Sequence, residues 1–178
     1  MCSSSTSHRW SVAPVALALL LAPLLAACGF HPLYEHNGAG AVEPQLAAIE
    51  IMPIKEHTGQ LLNWQLANDF NPGNDAVAPR YRLYVALALR RDFIATQSNG
   101  IASRGQISGA AQCVLTPLNG KHVLYRARIQ SIADYSIDPD AYASEVGKSG
   151  AEKAVIRDIG REIEIRLAAY FSDRTAAR

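Results

Sequence analysis

Three stretches of alternating apolar and polar residues, joined by two Asn-Gly pairs, constrain the fold of this 178-residue chain more than any other feature. A period of two places successive side chains on opposite faces of a β-strand. Asn-Gly supplies the pair of positive φ angles that a tight hairpin turn needs. Because the pairs lie at Asn99-Gly100 and Asn119-Gly120, the sequence predicts a three-stranded antiparallel meander over residues 80–130.

The alternation also predicts which face of each strand is buried. The first strand begins at Arg80, and its inward residues are Tyr81, Leu83, Val85, Leu87 and Leu89. The second strand covers Ile101 to Thr116, and its inward residues are Ile107, Gly109, Ala111, Cys113 and Leu115. The inward residues of the third strand are Val123, Tyr125, Ala127 and Ile129.

Two apolar stripes with helical spacing flank the meander. The first stripe follows Thr58, a candidate N-cap, and ends before Asn71-Pro72-Gly73; it consists of Leu62, Leu66 and Phe70. The second stripe predicts a helix that starts between residues 141 and 151 and ends near residue 171; it consists of Val155, Ile159, Ile163, Leu167 and Tyr170. A further strand is predicted over residues 46–54, where Ile49 and Ile51 alternate.

The order strand, helix, three strands, helix predicts an α+β fold. We expect a two-layer sandwich in which two helices pack on one face of a four-stranded, mostly antiparallel (mixed) sheet. This single domain should cover residues 46–178. Residues 28–45, rich in Gly, Pro and His, are predicted to be an extended tether.

The N-terminal 27 residues have the composition of a cleaved signal peptide. An apolar run from Val12 to Ala27 follows a single basic residue, Arg9, and is too short to span a bilayer. Its last residues, Leu25-Ala26-Ala27-Cys28, resemble a bacterial lipobox, in which lipid is attached to the cysteine and the leader is removed. We therefore expect residues 1–27 to be cleaved and Cys28 to be lipidated, with Gly29 compatible with sorting to the outer membrane.

Sequence motifs for catalysis are weak. Gly147-Lys148-Ser149 is not a phosphate-binding P-loop, because Tyr142 occupies the place of the required upstream glycine. No Cys or His pair has metal-ligand spacing. Cys113 is most simply a small buried apolar residue without a disulfide partner. We expect a non-enzymatic protein with no catalytic residue, no metal and no cofactor.

The middle of the chain is strongly basic. Residues 80–133 contain eight Lys or Arg residues and one acid, Asp92. Arginine side chains bind phosphate and carboxylate groups in bidentate fashion, although bases on strands also prevent edge-to-edge association. The candidate residues for anion contact are Arg90, Arg91, Arg104, Arg126 and Arg128. Neutral residues predicted on the outward face leave open that it packs on another protein; they are Ala86, Ala88, Gln106, Ser108, Ala110, Gln112, Val114 and Leu124.

The segment Cys28-Gly29-Phe30-His31-Pro32-Leu33-Tyr34 resembles the mature start of the LPS-assembly lipoproteins of the LptE family, especially its alphaproteobacterial branch. The order of elements is also similar to that family's fold. The resemblance implies an outer-membrane lipoprotein that plugs the lumen of the LptD β-barrel from the periplasmic side, assists its assembly and binds lipopolysaccharide.

The resemblance also implies where ligand contacts lie. In relatives, basic residues near the tip of the hairpin between the second and third strands of the sheet, and near the start of the last helix, are associated with lipopolysaccharide. Here that tip, Gln97-Ser98-Asn99-Gly100, carries no base, whereas Lys148 lies near the second location.

The expected partners are one LptD-type barrel in 1:1 ratio, lipopolysaccharide, and a membrane through the lipid anchor, with no nucleic acid. The alternative is a lipid-anchored periplasmic adaptor of another envelope complex that does not bind glycolipid. A third class, a lipid-anchored hydrolase, would need a nucleophile and a base that the sequence does not reveal.

Overall fold

The computed structural model of the chain describes residues 39–96 and 102–176, which form a four-stranded mixed sheet and three helices. In chain order the elements are α1 (Ala39–Ala47), β1 (Ile49–Ile51), α2 (Glu56–Phe70), β2 (Tyr81–Thr96), β3 (Ala102–Pro117), β4 (Tyr125–Ser136) and α3 (Ala141–Ala176). The predicted α+β class with a mixed sheet is confirmed. The predicted leader, the lipidation site Cys28 and the turn at Asn99-Gly100 lie outside the described residues.

The strands follow one another across the sheet in the order β1-β2-β3-β4. The short β1 runs parallel to β2, with Ile49 opposite Tyr81. The other two pairings are antiparallel, and one row across them contains Leu87, Ala111 and Ile129. The predicted meander is therefore confirmed, with a bulge in β2 between Phe93 and Ala95.

The helices cover one face of the sheet, which we call the inner face. Each inward residue predicted for β2 and β3 belongs to the core or lines it, and Leu83, Ala111 and Leu115 are fully buried. In β4 the alternation holds for Tyr125, Ala127 and Ile129. Period-two burial thus fixes the register, because a one-residue slip would turn every apolar side chain outward.

The long helix α3 supplies most of the helical side of the core. Its start is fixed by Asp140, whose carboxylate accepts a hydrogen bond from the Tyr142 N–H at 2.8 Å, as an N-cap does. The predicted stripe is buried at Val155, Ile159, Ile163 and Leu167. Helix α2 packs beside α3 through its own predicted stripe, Leu62, Leu66 and Phe70. The Gln65 amide of α2 donates to the Arg157 carbonyl of α3 at 3.2 Å.

Two predictions near the start of the domain are wrong. Residues 39–45 belong to helix α1 and not to an extended tether, although α1 contains Pro44. Leu46 is buried and Val42 packs against the core, so tertiary contacts stabilise a nine-residue helix that would be marginal alone. The strand predicted over residues 46–54 is also shorter than expected, since only Ile49–Ile51 pairs with β2.

Three local predictions also need correction. Helix α2 begins at Glu56, with Lys55 and not Thr58 at the N-cap position. Gly120 has the positive φ of 64° expected for its turn. The strand after this turn starts later than predicted, because residues 121–124 form a loop before β4 begins at Tyr125. Val123 therefore lies in this loop, 48% exposed, and Leu124 packs against the core instead of lying on the outward face.

Candidate functional site

The outer face of the sheet, opposite the helices, is open along β2, β3 and β4. No described helix packs on it. The face combines small and neutral side chains with a few large apolar ones. Two of the large ones are Tyr84, which is 45% exposed, and Ile132, which is 61% exposed. Bases stand among them. A solvated sheet face normally carries mostly polar residues, so exposed Tyr84 and Ile132 are unusual for one.

Four of the five candidate arginines are on this outer face, but they do not form one cluster. Arg126 and Arg128 are two positions apart on β4 and lie on the same face. Two residues of a strand separate their Cα atoms by about 7 Å. Arg90 lies on β2, across β3 and four residues along the sheet from Arg128, and Arg104 lies beyond the β2 bulge. The distance between neighbouring strands and the rise per residue along a strand together put the Cα atom of Arg90 roughly 16 Å from that of Arg128.

Two outer-face arginines have carboxylate partners. The Arg90 guanidinium contacts Asp92 at 2.9 Å, and Arg82 contacts Glu50 of β1 at 2.9 Å. The hydrogen bond from Arg82 to Glu50, followed by their charge attraction, raises the pKa of the Arg82 guanidinium above its ordinary value. These pairs are exposed, so each contributes little to stability, but they neutralise part of the positive charge on β2.

The fifth candidate, Arg91, is on the inner face. It pairs with Ile107 of β3, which is a core residue. Arg91 itself is exposed, because it lies past the region of the sheet that the helices cover. There it lines a cleft of about 360 Å³ between the far end of the sheet and the first turns of α3. The cleft is lined by Arg91, Phe93, Tyr135, Ile137, Asp138, Pro139, Ala141, Ser144, Glu145 and Lys148.

The cleft is lined by two bases, by two acids (Asp138 and Glu145), and by apolar and aromatic side chains. Lys148 reaches it from α3, with its ammonium 2.6 Å from the Glu145 carboxylate and its side chain 19% exposed. Tyr135 lies flat over Gly105 of β3, where a Cβ atom would overlap the tyrosine ring. Phe93 is 66% exposed beside it. An anionic group could contact Arg91 here, whereas at Lys148 it would compete with the Glu145 carboxylate; the aromatic surface could accept an apolar group.

Further exposed apolar residues stand on the first two turns of α3. Tyr142 is 78% exposed and Val146 is 54% exposed, and they are four positions apart in the sequence, so they share one side of the helix. The first turn itself is fixed by polar contacts: the Ser144 hydroxyl accepts the Asp138 N–H at 2.7 Å and donates to the Asp138 carbonyl at 2.9 Å. The mouth of the cleft is therefore built on an ordered helix start.

Sequence reasoning found some of these residues and missed others. Arg91 was a candidate, and Lys148 was noted for its position at the start of the last helix. Phe93 and Tyr135 were missed, because their role depends on the strand register that places them in one row with Gly105. The alternation of apolar residues in β4 continues beyond Ile129 to Tyr135, and this pattern could have identified Tyr135 from the sequence.

Within the described ranges there is no group of three or more metal-ligating side chains. No described helix is both long and apolar enough to cross a membrane. Cys113 is buried in β3, and its burial raises the pKa of the thiol.

Comparison with known proteins gives matches of structure only. No protein-family model and no curated protein sequence matches this chain. A solved protein from Caulobacter crescentus, described as a lipoprotein, matches with a TM-score of 0.62 and 19% identity over 75% of this chain and 96% of that one. A minor lipoprotein from Acinetobacter baumannii matches with a TM-score of 0.50 and 14% identity over 68% of this chain and 88% of that one.

A rare lipoprotein B from Shewanella oneidensis is more distant, with a TM-score of 0.41 and 16% identity over 72% of this chain and 93% of that one. At their low identities, the first two matches show that this chain has a fold found in bacterial lipoproteins.

Proposed function

We propose that this chain is a lipid-anchored outer-membrane protein that plugs an LptD-type β-barrel, assists its assembly and binds lipopolysaccharide in transit. Three features support the proposal: the lipobox before Cys28, the LptE-like start of the mature chain, and a fold shared with lipoproteins. The proposed role is that of a binding protein and not of an enzyme.

The observation that carries the ligand part of the proposal is the cleft between Arg91 and Lys148. Lipopolysaccharide carries phosphate and carboxylate groups next to acyl chains, so its recognition needs cations beside apolar surface. The cleft contains both, since Arg91 and Lys148 line it together with Phe93, Tyr135 and Ile137, and a phosphate would replace Glu145 as the partner of Lys148. Charge-assisted hydrogen bonds to phosphate are about twice as strong as neutral ones.

The open outer face supports the barrel part of the proposal. The lumen of a transmembrane barrel is polar, and a plug needs a surface that can be desolvated against it. The small apolar side chains of the outer face, such as Ala86 and Ala88, are inexpensive to desolvate and allow close approach. Arg126 and Arg128 would then contact either the barrel wall or the anionic glycolipid.

Paired variants can separate these two basic surfaces. The full-length, lipidated protein would be titrated with purified lipopolysaccharide, as the wild type and as the doubles Arg91→Gln/Lys148→Gln and Arg126→Gln/Arg128→Gln. Each double removes two positive charges and leaves the apolar core intact. We expect the first double to weaken binding about tenfold or more, the loss of one to two charge-assisted contacts, and the second to weaken it less.

Circular dichroism of each variant serves as the folding control. Lipid-free inorganic phosphate, added as competitor, shows whether the site recognises the phosphate alone or the whole glycolipid. If both doubles bind lipopolysaccharide as the wild type does, the ligand part of the proposal fails. If only the second double loses binding, the site is on the outer face and not in the cleft.

A further inference from the structure

We propose that the outer face of the sheet binds the outer face of a second copy of this chain, so that the two sheets pack face to face with the helices outside. The two-fold axis of this dimer runs across the strands, over the row that contains Ala88, Ala110 and Gln130. This inference goes beyond the proposed function, because it concerns the chain without its barrel.

Small side chains occupy the centre of the outer face. Ala88 of β2 is opposite Ala110 of β3, and Ala86 is the next outward residue of β2. Ala86 and Ala88 are exposed, and Ala110 is half-buried. Alanine has no polar side-chain atom to desolvate, and its small size lets facing sheets reach the usual separation of about 10 Å. A second sheet can therefore cover this centre with little loss of hydration.

The outer face of β4 carries opposite charges on the two sides of this centre. Arg126 precedes Gln130 by four residues, Asp134 follows it by four residues, and both charged side chains are exposed. The Gln106 amide of β3 donates to the Asp134 carboxylate at 2.9 Å, which holds this carboxylate on the outer face. The base and the acid are therefore equally distant from the centre, in opposite directions.

A two-fold axis at the centre brings these opposite charges together. It places β4 of the second copy antiparallel to β4 of the first, so that Arg126 faces Asp134 of the second copy. Every contact in a two-fold interface occurs twice, so Asp134 also faces Arg126 of the second copy. Aligned sheets cross at about 30°, which moves the members of each pair sideways by roughly 7 Å, a distance that the long arginine side chain can span. The charge of the face is thus complementary to itself.

The same axis gives favourable neighbours to the large side chains of the face. Tyr84 faces Asp92 of the second copy, and the tyrosine hydroxyl can donate to that carboxylate. Arg128 faces Ile132 of the second copy, whose apolar surface the arginine stem can cover. The arrangement therefore covers two large side chains, Tyr84 and Ile132, that are exposed in the single chain.

Two further arginines of the outer face do not oppose this arrangement. Arg90 faces Ala86 of the second copy, and its charge is already balanced by Asp92 at 2.9 Å. Arg104 lies six residues from the centre of β3 and faces Thr116 of the second copy. Neither arginine is placed opposite another base. A second copy is thus an occupant that the pattern of charges on the face fits.

The contact is small, so the dimer should be reversible. Three strands are about 14 Å wide and residues 84–92 are about 30 Å long, which gives roughly 400 Å² per copy. A standard interface buries about 800 Å² per partner, so we expect a dissociation constant in the micromolar range. Lipid anchors would confine both copies to one membrane and raise their effective concentration. A second copy and a barrel would compete for this face, because only one of them can cover it.

Sedimentation equilibrium of the full-length lipidated protein, in a density-matched detergent, tests the proposal by an exchange of charges. Arg126→Glu and Asp134→Lys each place like charges opposite each other twice, whereas the double variant Arg126→Glu/Asp134→Lys restores opposite charges. We expect each single variant to weaken dimerisation about tenfold or more, and the double variant to return it to within about threefold of the wild type.

Two further variants distinguish this face from other contacts. Lys153→Glu makes the same change of charge as Arg126→Glu at an exposed position of α3, so it should leave the dimer unchanged. Ala88→Trp puts a large side chain at the centre of the contact on β2, and it should weaken the dimer about tenfold by holding the sheets apart. Circular dichroism checks that each variant is folded.

Three results would overturn the proposal. The first is a wild-type protein that stays monomeric at roughly 200 μM. The second is a dimer that tolerates both single charge reversals. The third is a dimer that responds to the exchange of charges but tolerates Ala88→Trp, because the copies would then pair along the edges of β4 and not through their outer faces.

Discussion

Gly109 of β3 lies directly beneath Val155 of α3, where a Cβ atom on the glycine would overlap the valine side chain. Ile159 and Leu89 are the next neighbours of that position, at 2.9 and 3.2 Å. The absence of a side chain at Gly109 thus sets how closely α3 approaches the sheet. This approach also brings the first turns of α3 and their lysine to the edge of the cleft.

Gly109→Ala should therefore lower the free energy of unfolding by about 1–3 kcal/mol, the usual cost of overpacking a core. Gly150→Ala is the matched control, because a Cβ atom at that exposed position of α3 has no neighbour within 4 Å. The control should raise stability by up to about 1 kcal/mol through helix propensity. Urea unfolding of both variants measures the difference, and equal effects of the two substitutions would contradict this packing.

Glu164 should make stability depend on pH. Its partial burial, together with the nearby charge of Asp69, raises the pKa of the carboxyl in the folded state. An acid whose pKa is raised by folding stabilises the folded state when it is protonated. This stabilisation is fully present below the pKa that the group has in the unfolded chain, and it is lost as the pH rises through the pKa that it has in the folded protein. Charged Glu164 should therefore cost stability at neutral pH.

Glu164→Gln should then stabilise the protein at pH 7, by on the order of a few tenths of a kcal/mol after solvent screening. The gain should vanish near pH 3, where the wild-type side chain is protonated in both states. Urea unfolding at the two pH values gives the comparison. A gain of equal size at both would show that the charge of Glu164 is not its cause.

The Cys113 thiol should be unreactive in the folded protein. It is 1% exposed, its burial raises the pKa of the thiol, and its sulfur lies 3.6 Å from the Ala127 carbonyl. Only the thiolate reacts quickly with disulfide reagents. Titration with such a reagent should show no reaction at neutral pH until denaturant is added. Rapid labelling of the native protein would mean that β3 opens locally.

Period-two alternation was sufficient to predict β2, β3 and β4, because burial of one face leaves a single acceptable register. Helix α1 could not be predicted in this way. Its sequence contains Gly40 and Pro44, which normally indicate a loop, and its stability comes from contacts of Leu46 and Val42 with distant residues. Local propensity is overridden by tertiary packing at such positions.

The candidate site was only partly predictable for a related reason. Charge composition identified the basic strands, but it did not show that Arg91 lies on the inner face of the sheet while Arg90 lies on the outer face. That distinction follows from the strand alternation once the pairing with Ile107 is known. The approach of Lys148 depends on the length of α3, whose start the sequence placed only within ten residues.

Lipidation should depend on Cys28 alone. Cys28→Ala removes the thiol to which lipid would be attached, so the variant should keep its leader and carry no acyl chain. Intact-mass spectrometry of membrane-extracted protein checks both features at once. Cys113→Ala is the control, because it removes a buried thiol and should be processed normally. An acylated Cys28→Ala protein would contradict the lipobox interpretation.

The proposed role as a barrel plug is tested most directly by the mass of the complex that the native protein forms. The lipidated chain, tagged at its C-terminus, would be extracted from its own outer membranes in mild detergent and weighed by native mass spectrometry. We expect one copy of this chain with one copy of a large β-barrel protein of the LptD type. Recovery of the chain alone, or in fixed ratio with a different envelope protein as an adaptor would be, would contradict the proposed function.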